Sequence, residues 1–171
     1  MTDDNNNAHA AAESLTDVVI PRENAVFWMD EEGRWCNGHG RFRHKRIIDH
    51  FNQSLCRDAN GYFVTQIRGQ IREKVYFFHA DTPLFVVRIV PGTPIRLALN
   101  TTRMLDLSPD QLFSRNDQLY QRMGDECVRF SDRALVSISE YLEETPSGLG
   151  IRIGGTLTRI PEENQDTGFR K

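Results

Sequence analysis

The chain has 171 residues, of which 39% are hydrophobic and 26% charged, and 21 basic residues against 24 acidic ones give a net charge of −3. This composition is typical of a soluble globular protein with one core or two small ones. It excludes any overall attraction to nucleic acid or to a membrane surface, and no apolar run approaches the ~18 residues of a membrane span. We therefore expect neither partner, and the sequence leaves the oligomeric state open.

The two ends of the chain are polar, and the N-terminal end lacks the basic and apolar segments of a signal peptide. We expect a disordered tail over residues 1–24 and a second tail over residues 162–171. The three cysteines, Cys36, Cys56 and Cys127, are widely spaced and odd in number. This usage is typical of reduced thiols in a cytoplasmic protein.

Pro91, Gly92 and Pro94 form a turn that interrupts the strand pattern near the middle of the chain. We interpret this turn as a domain boundary, which divides the ordered chain into residues 25–92 and residues 93–161. Each half is rich in strands and carries one main helix. The sequence therefore predicts an α+β fold rather than a doubly wound one.

The first half is expected to begin with a hairpin over residues 25–36 and to contain further strands. Residues 70–79 form one of them. The run from Leu84 to Val90 is apolar except for Arg88, and such a run is expected of a strand that is buried on both faces.

The clearest helix of the chain lies between these strands, and its apolar side chains recur at spacings of three and four. We expect it to extend to Arg57, because Asn60 and Gly61 then provide a turn that leads into a strand over residues 62–67. The side chains of its apolar stripe should be buried against a sheet: Ile47, Ile48, Phe51 and Leu55.

The second half alternates between strands and turns before its own helix. We expect strands over residues 95–100 and 104–107, a helical turn over 108–113, irregular structure over 114–124, and a closing hairpin over 149–160. The helix before that hairpin has a suitable N-cap in Ser131 or Asp132. Its apolar stripe is formed by Leu135, Ile138 and Leu142.

The two helical segments match at a fixed offset of 87 residues, as from Ile48 to Leu135. Any helix–turn–strand unit shows such a pattern, so chance similarity and a structural duplication both stay open. If the halves are duplicates, the groove between them is the natural ligand site, since pockets favour domain interfaces.

Basic residues crowd the start of the first helix, where a polar N-cap and acidic residues are normally found. A start of this kind suits a bound anion such as phosphate, although a solvated basic face explains the same pattern. An intrachain carboxylate would remove the need for an anion, and Asp81 and Glu73 are the candidates. The basic approach consists of Arg41, Arg43, His44, Lys45 and Arg46.

The chain also resembles a bacterial family of uncharacterised proteins, the domain-of-unknown-function family 1285. The similarity extends over residues 27–160 and depends on several short motifs. The segments Asp81–Phe85 and Leu99–Thr101 belong to it. The remaining matching residues are Gly33, Trp35, Gly38, Arg43, Ile48, Phe51, Leu55, Asp58, Gly61 and Tyr62.

This resemblance implies a duplicated α/β core whose second half is loosely like a pleckstrin-homology domain. It further implies a nucleotide-like ligand at the interface of the halves and a role in signalling, without an assigned catalytic activity. We therefore expect a non-catalytic binding or sensory module for a small anionic, nucleotide-like ligand. The residues expected at its site are Arg41, Arg43, His44, Asp81 and Asn100.

Two other hypotheses stay open. The protein is alternatively a small hydrolase or transferase that acts on a phosphorylated substrate through His39, His44 or Asp81, or a protein-interaction module without a small ligand. No cofactor is expected. A zinc site is not predicted either, because Cys36, His39 and His44 lack a paired motif that would complete four ligands.

Overall fold

The computed structural model describes residues 15–163, which form two α-helices, three short 3-10 helices and seventeen strands in four sheets. The α+β class predicted from the sequence is confirmed. The strands group into a first unit, residues 15–79, and a second unit, residues 85–163, and residues 80–84 form the connection between the units. Neither α-helix in the described part of the chain is long and apolar enough to cross a membrane.

The first unit contains eight strands and one helix. They are β1 (Thr16–Ile20), β2 (Phe27–Met29), β3 (Trp35–Asn37), β4 (Gly40–Arg41), α1 (Lys45–Gln53), β5 (Leu55–Asp58), β6 (Gly61–Arg68), β7 (Ile71–Tyr76) and β8 (Phe78–His79). One sheet has the order β1-β7-β6-β5 and the other has the order β4-β3-β2-β8. The edge strands β1 and β8 run parallel to their neighbours.

The second unit contains nine strands and one helix. They are β9 (Phe85–Val90), β10 (Arg96–Leu99), β11 (Met104–Asp106), β12 (Leu112–Arg115), β13 (Gln118–Met123), β14 (Glu126–Phe130), α2 (Asp132–Ile138), β15 (Leu142–Thr145), β16 (Gly148–Ile153) and β17 (Thr156–Arg159). A six-stranded sheet has the order β11-β10-β9-β14-β13-β12, and a three-stranded sheet has the order β15-β16-β17.

Each unit has its own hydrophobic core. In the first unit, the ring of Phe51 on α1 packs edge-on against Phe27 and Trp35, with ring centroids 4.8 and 5.1 Å apart. In the second unit, α2 buries Ile138 completely against the six-stranded sheet. Leu55 and Tyr62 contact both cores, so the hairpin of β5 and β6 joins the two units.

The predicted segment boundaries need three corrections. Within the expected N-terminal tail, residues 16–20 form β1 and residues 22–24 form a 3-10 helix, while residues 1–14 lie outside the described part. The expected C-terminal tail begins with ordered residues, since Glu162 bridges to Ser114; residues 164–171 lie outside the described part. The predicted boundary after residue 92 falls inside a hairpin, because β9 and β10 pair in one sheet.

The first helix is shorter than predicted and ends at Gln53. The turn at Asn60 and Gly61, where Gly61 has a φ of +115°, closes a hairpin that extends back to Leu55. Leu55 therefore contacts the core from a strand. The burial of Ile47 was predicted wrongly: its side chain is 47% exposed, because Ile48 and Phe51 occupy the face that meets the core.

Residues 114–124 were expected to be irregular but form most of an antiparallel hairpin, β12–β13. Its two-residue turn consists of Asn116 and Asp117, both with positive φ, which is the conformation that tight hairpins require. The strand β9 is likewise less buried than predicted: Val87 and Arg88 are exposed. This exposure follows from the short pairing of β9 with β14, which ends at Val86.

A shared local order is visible around the two helices. In each unit, a helix is followed by an antiparallel hairpin, β5–β6 in the first and β15–β16 in the second. The first pair of each hairpin, Leu55–Val64 and Leu142–Ile151, keeps the offset of 87 residues seen in the sequence. The duplication itself stays a prediction, which a superposition of the two units tests.

Candidate functional site

The start of α1 has the uncapped, basic character that the sequence indicates. His44 occupies the N-cap position and its side chain makes no capping hydrogen bond, and the first turn contains no acidic residue. Lys45 pairs with Asp49 on the same helix. Within residues 15–163, the side chains of Arg43, His44 and Arg46 are exposed and form neither a hydrogen bond nor an ion pair.

Arg41 is different, because its charge is neutralised within the chain. Its guanidinium lies 3.0 Å from the carboxylate of Asp30 and 2.7 Å from that of Glu32. The sequence analysis named Asp81 and Glu73 as the carboxylates that would compensate this basic segment. Both have other partners, since Glu73 accepts a hydrogen bond from Gln66 and Asp81 faces the second unit.

Asp81 is surrounded by donors from the second unit. Its carboxylate lies 3.0 Å from Arg115 and 3.4 Å from Arg129, and it accepts a hydrogen bond of 2.6 Å from the hydroxyl of Tyr120. Burial and this bond to Asp81 raise the pKa of Tyr120 to about 12. Because cations and a hydroxyl occupy both carboxylate oxygens, Asp81 is not free to act as a general base.

The side chain of Asn100 forms hydrogen bonds with backbone groups at the connection between the units. Its side-chain oxygen accepts a hydrogen bond of 3.0 Å from the amide of Phe85, and its amide group donates to the carbonyl of Pro83 at 3.0 Å. The same amide group lies 3.5 Å from Asn52, whose side-chain oxygen also accepts a bond from the indole of Trp35. Asn100 thus links α1 to the beginning of β9.

Two further polar contacts join the units. Arg57 pairs with Asp125 at 2.7 Å, and the hydroxyl of Tyr62 donates to Glu126 at 2.7 Å. Burial, followed by the bond to Glu126, raises the pKa of Tyr62. We call the contacts made by Asp81, Asn100, Arg57 and Tyr62 the junction. Each of these four side chains has at least one polar partner in the junction.

An open groove of about 480 Å³ is formed mainly by residues of the first unit. Its walls carry two aromatic side chains on paired strands, Trp28 of β2 and Phe78 of β8, which are 40% and 56% exposed. We call it the aromatic groove. It is lined by Trp28, Met29, Asp30, Glu31, Glu32, Arg41, Phe78, His79 and Ala80.

The polar side of the aromatic groove is mainly acidic. Asp30, Glu31 and Glu32 contribute three carboxylates against the single guanidinium of Arg41. Desolvation of its ring lowers the pKa of His79, which disfavours a positive charge on this residue. Its Nδ1 lies 2.6 Å from the carbonyl oxygen of Asp81. A carbonyl only accepts, so Nδ1 carries the proton of the neutral ring.

The five site residues expected from the sequence therefore lie in three places. Arg41 lines the aromatic groove, Arg43 and His44 lie at the exposed start of α1, and Asp81 and Asn100 belong to the junction. His39, a candidate of the enzyme hypothesis, is exposed next to β4. Within the described residues, no group of three or more His, Cys, Asp or Glu side chains is arranged to hold a metal ion.

Sequence reasoning missed Trp28 and Phe78 as site residues. A signal was present, since β2 alternates between buried Phe27, exposed Trp28 and buried Met29. A strand that places a tryptophan on the face opposite its core residues presents it to solvent or to a partner.

Comparison with known proteins gives the class of the fold. No family model matches the chain, and no curated protein matches it. Among solved structures, a DUF1285 family protein from Silicibacter pomeroyi DSS-3 is similar, with a TM-score of 0.58 at 10% identity over 85% of this chain and 84% of that one. A DUF1285 family protein from Shewanella baltica OS155 has a TM-score of 0.48 at 13% identity, over 67% of this chain and 91% of that one.

The chain is therefore an α+β protein of two connected units. Its fold is similar to that of the domain-of-unknown-function family 1285, as the first of these structures shows. The resemblance inferred from the sequence motifs is confirmed at the level of the fold.

Proposed function

We propose that the protein is a non-catalytic binding module whose small ligand occupies the aromatic groove. The observation that carries this proposal is the contrast between its two tryptophans. Trp35 is 1% exposed in the core, whereas Trp28 is 40% exposed on the wall of a concave surface. Aromatic side chains in a concave site with a few polar groups are typical of small-molecule pockets.

A sensory role follows from the position of the groove beside the junction. Glu31 lines the groove, and its carbonyl oxygen accepts a hydrogen bond from Arg129 of the second unit. Ala80, which also lines the groove, precedes Asp81, which the same Arg129 contacts. A ligand that shifts Glu31 or Ala80 therefore acts on contacts with the second unit, which is the type of coupling that a sensor needs.

A second candidate function is binding of an anionic, nucleotide-like ligand at the start of α1. It is favoured by the exposed side chains of Arg43 and His44, which have no partner within the described residues. It is also favoured by the engagement of Asp81 and Glu73 elsewhere. Arg41, Asp81 and Asn100 contribute less to such a site than the sequence suggested, because their polar groups are already paired.

The fluorescence of Trp28 tests the main proposal. Nucleotides, inorganic phosphate and small organic amines are titrated against the parent protein and Trp28→Phe, while melting temperature is recorded in parallel. A compound at 100 times its Kd adds about 2.7 kcal/mol to the free energy of unfolding. We expect a compound that raises the melting temperature to change the emission of the parent but not that of Trp28→Phe.

Two results contradict the proposal. The first is a compound that stabilises the protein without any change in the emission of Trp28. If phosphate compounds behave in this way and Arg43→Ala abolishes their effect, the second candidate is the correct one. The second result is the absence of binding by every class of compound, which favours a protein-interaction module.

A further inference from the structure

One carboxylate among the residues that line the aromatic groove, that of Glu31, has no side-chain partner within residues 15–163. Arg41 contacts both Asp30 and Glu32, and Arg34 adds a second contact to Glu32 at 2.9 Å. Within residues 15–163, the side chain of Glu31 forms no ion pair or hydrogen bond. One carboxylate on the wall of the groove is thus available to a ligand of positive charge.

Two guanidinium groups of the chain itself contact residues that line the groove. Arg41 lies between the carboxylates of Asp30 and Glu32. The guanidinium carbon of Arg22 lies over the ring of Phe78, 5.9 Å from its centroid. Carboxylate pairing and stacking on an aromatic face are the two ways in which proteins recognise this group.

The groove also contains an aromatic side chain and a carboxylate without an intrachain cation. Trp28 presents the side chain with the strongest attraction for cations among the aromatic residues, and within the described residues no Lys or Arg lies over its ring. Glu31 supplies the carboxylate. Both residues line the same cavity.

We propose that the aromatic groove binds a guanidinium group, which stacks on Trp28 and pairs with Glu31. This inference depends on the proposed function, since it assigns a chemical class to the ligand of that groove. It differs from the anionic ligand expected from the sequence, because a phosphate would meet the unpaired carboxylate of Glu31 there. The open groove, of about 480 Å³, also has room for a ligand of the size of an arginine derivative.

The probe is L-argininamide, and its matched control is L-citrullinamide, in which a neutral urea replaces the guanidinium at nearly the same shape. Calorimetric titration of the parent protein is expected to show saturable binding of L-argininamide and at least tenfold weaker binding of L-citrullinamide. Binding should also weaken as the salt concentration rises, because ions screen exposed charges.

Substitutions of Glu31 and Trp28 test whether these residues form the guanidinium site. Glu31→Gln and Trp28→Ala are each expected to weaken L-argininamide binding about tenfold or more. Glu144→Gln makes the same charge change on an exposed residue of β15, and its affinity should equal that of the parent. Circular dichroism and melting temperature confirm that each variant is folded, and Trp28→Leu replaces Trp28→Ala if the latter does not fold.

The outcomes separate this inference from the proposed function. If both amides bind equally and Trp28→Ala abolishes both, the groove binds ligands but the guanidinium assignment is overturned. If L-argininamide binds equally to the parent, Glu31→Gln and Glu144→Gln, the site lies elsewhere and the inference is wrong. Absence of binding up to millimolar concentration also overturns it, whereas the fluorescence screen still tests the groove.

The source of the guanidinium is distinguished by a second titration. The peptide Ac-Gly-Arg-Gly-NH2 carries the same group with a continuous backbone on both sides. Because the groove is open to solvent, the peptide can enter it. If the guanidinium comes from a polypeptide, we expect the affinity for the peptide to be within threefold of that for L-argininamide. Affinity at least tenfold lower for the peptide indicates a free small molecule. Failure of both probes overturns the inference.

Discussion

The junction and the aromatic groove contain similar side chains in opposite states of pairing. In the junction, Asp81 contacts two arginines and a tyrosine hydroxyl, and Asn100 bonds two backbone groups. In the groove, Glu31 has no side-chain partner among residues 15–163, and Trp28 is 40% exposed. Paired polar groups stabilise the fold, while unpaired ones beside a cavity are available for binding. Four predictions are given in order of decreasing effect, and a fifth compares the two regions directly.

The largest expected effect is that of Asn100→Ala. The substitution leaves the amide of Phe85 and the carbonyl of Pro83 without their side-chain partner. An unsatisfied buried polar group costs about 1–3 kcal/mol, so we expect a loss of about 2–3 kcal/mol in the free energy of unfolding. Urea denaturation measures it.

The matched control for Asn100→Ala is Gln53→Ala, which removes an exposed amide side chain on α1. It should change the free energy of unfolding by less than about 0.5 kcal/mol. Equal losses for the two variants would show that the hydrogen bonds of Asn100 do not stabilise the connection between the units.

The second prediction concerns alkaline pH. The pKa of Tyr120 is raised from 10.0 to about 12 in the folded protein. Between these values, the tyrosine is ionised in the unfolded chain but still protonated in the folded one, so the unfolded chain binds fewer protons. The free energy of unfolding therefore falls as pH rises from about 10 to 12, and Tyr120 contributes about 2 kcal/mol to this loss.

Tyr120→Phe removes that contribution. Its free energy of unfolding is expected to be lower than that of the parent at pH 8, because the bond to Asp81 is lost. From pH 10 to pH 12, however, the variant should lose less stability than the parent. Parallel curves for the two proteins over this range would contradict the assignment of Tyr120 to the paired region.

The third prediction concerns Arg43, which resembles the groove residues in having no partner within the described part of the chain. Removal of a cation near a helix start relieves repulsion with the helix dipole. We expect Arg43→Ala to raise the free energy of unfolding by about 0.3–1 kcal/mol. Arg68→Ala, the same charge change at an exposed strand end, should have no effect.

The smallest effect is expected for Trp28→Phe, which keeps an aromatic ring on the exposed face of β2. The free energy of unfolding should change by less than about 0.5 kcal/mol. A loss above 2 kcal/mol in the free energy of unfolding, from thermal or urea denaturation, would mean that Trp28 stabilises the fold. The contrast with Trp35 would then no longer support a binding role for Trp28.

Local patterns in the sequence predicted much of the fold. The strand pattern of residues 25–36 predicted the first hairpin, and Ser131 does cap α2, since its hydroxyl accepts a bond from the amide of Ala134 at 3.3 Å. The end of α1 was not predictable from periodicity, because Leu55 continues the helical spacing while its backbone pairs with Val64. Tertiary pairing there overrides local propensity.

The candidate site was predicted less well, for a physical reason. Charge and turn motifs draw attention to residues such as Asp81 and Asn100, yet the sequence does not show which polar groups find partners after folding. The aromatic groove depends on the parallel pairing of β2 with β8. This pairing places Trp28 next to Phe78, although the two residues are 50 positions apart in the sequence. Such a contact exists only in three dimensions.

The difference between the two regions is tested most directly by one pair of variants. Asp81→Asn and Glu31→Gln make the same change, from a carboxylate to its isosteric amide, in the junction and in the groove. Urea denaturation at pH 7 gives both free energies of unfolding. We predict a loss above 2 kcal/mol for Asp81→Asn, because Arg115 and Arg129 lose their shared anion, and a change below about 0.5 kcal/mol for Glu31→Gln. Equal changes in the two variants would contradict the account.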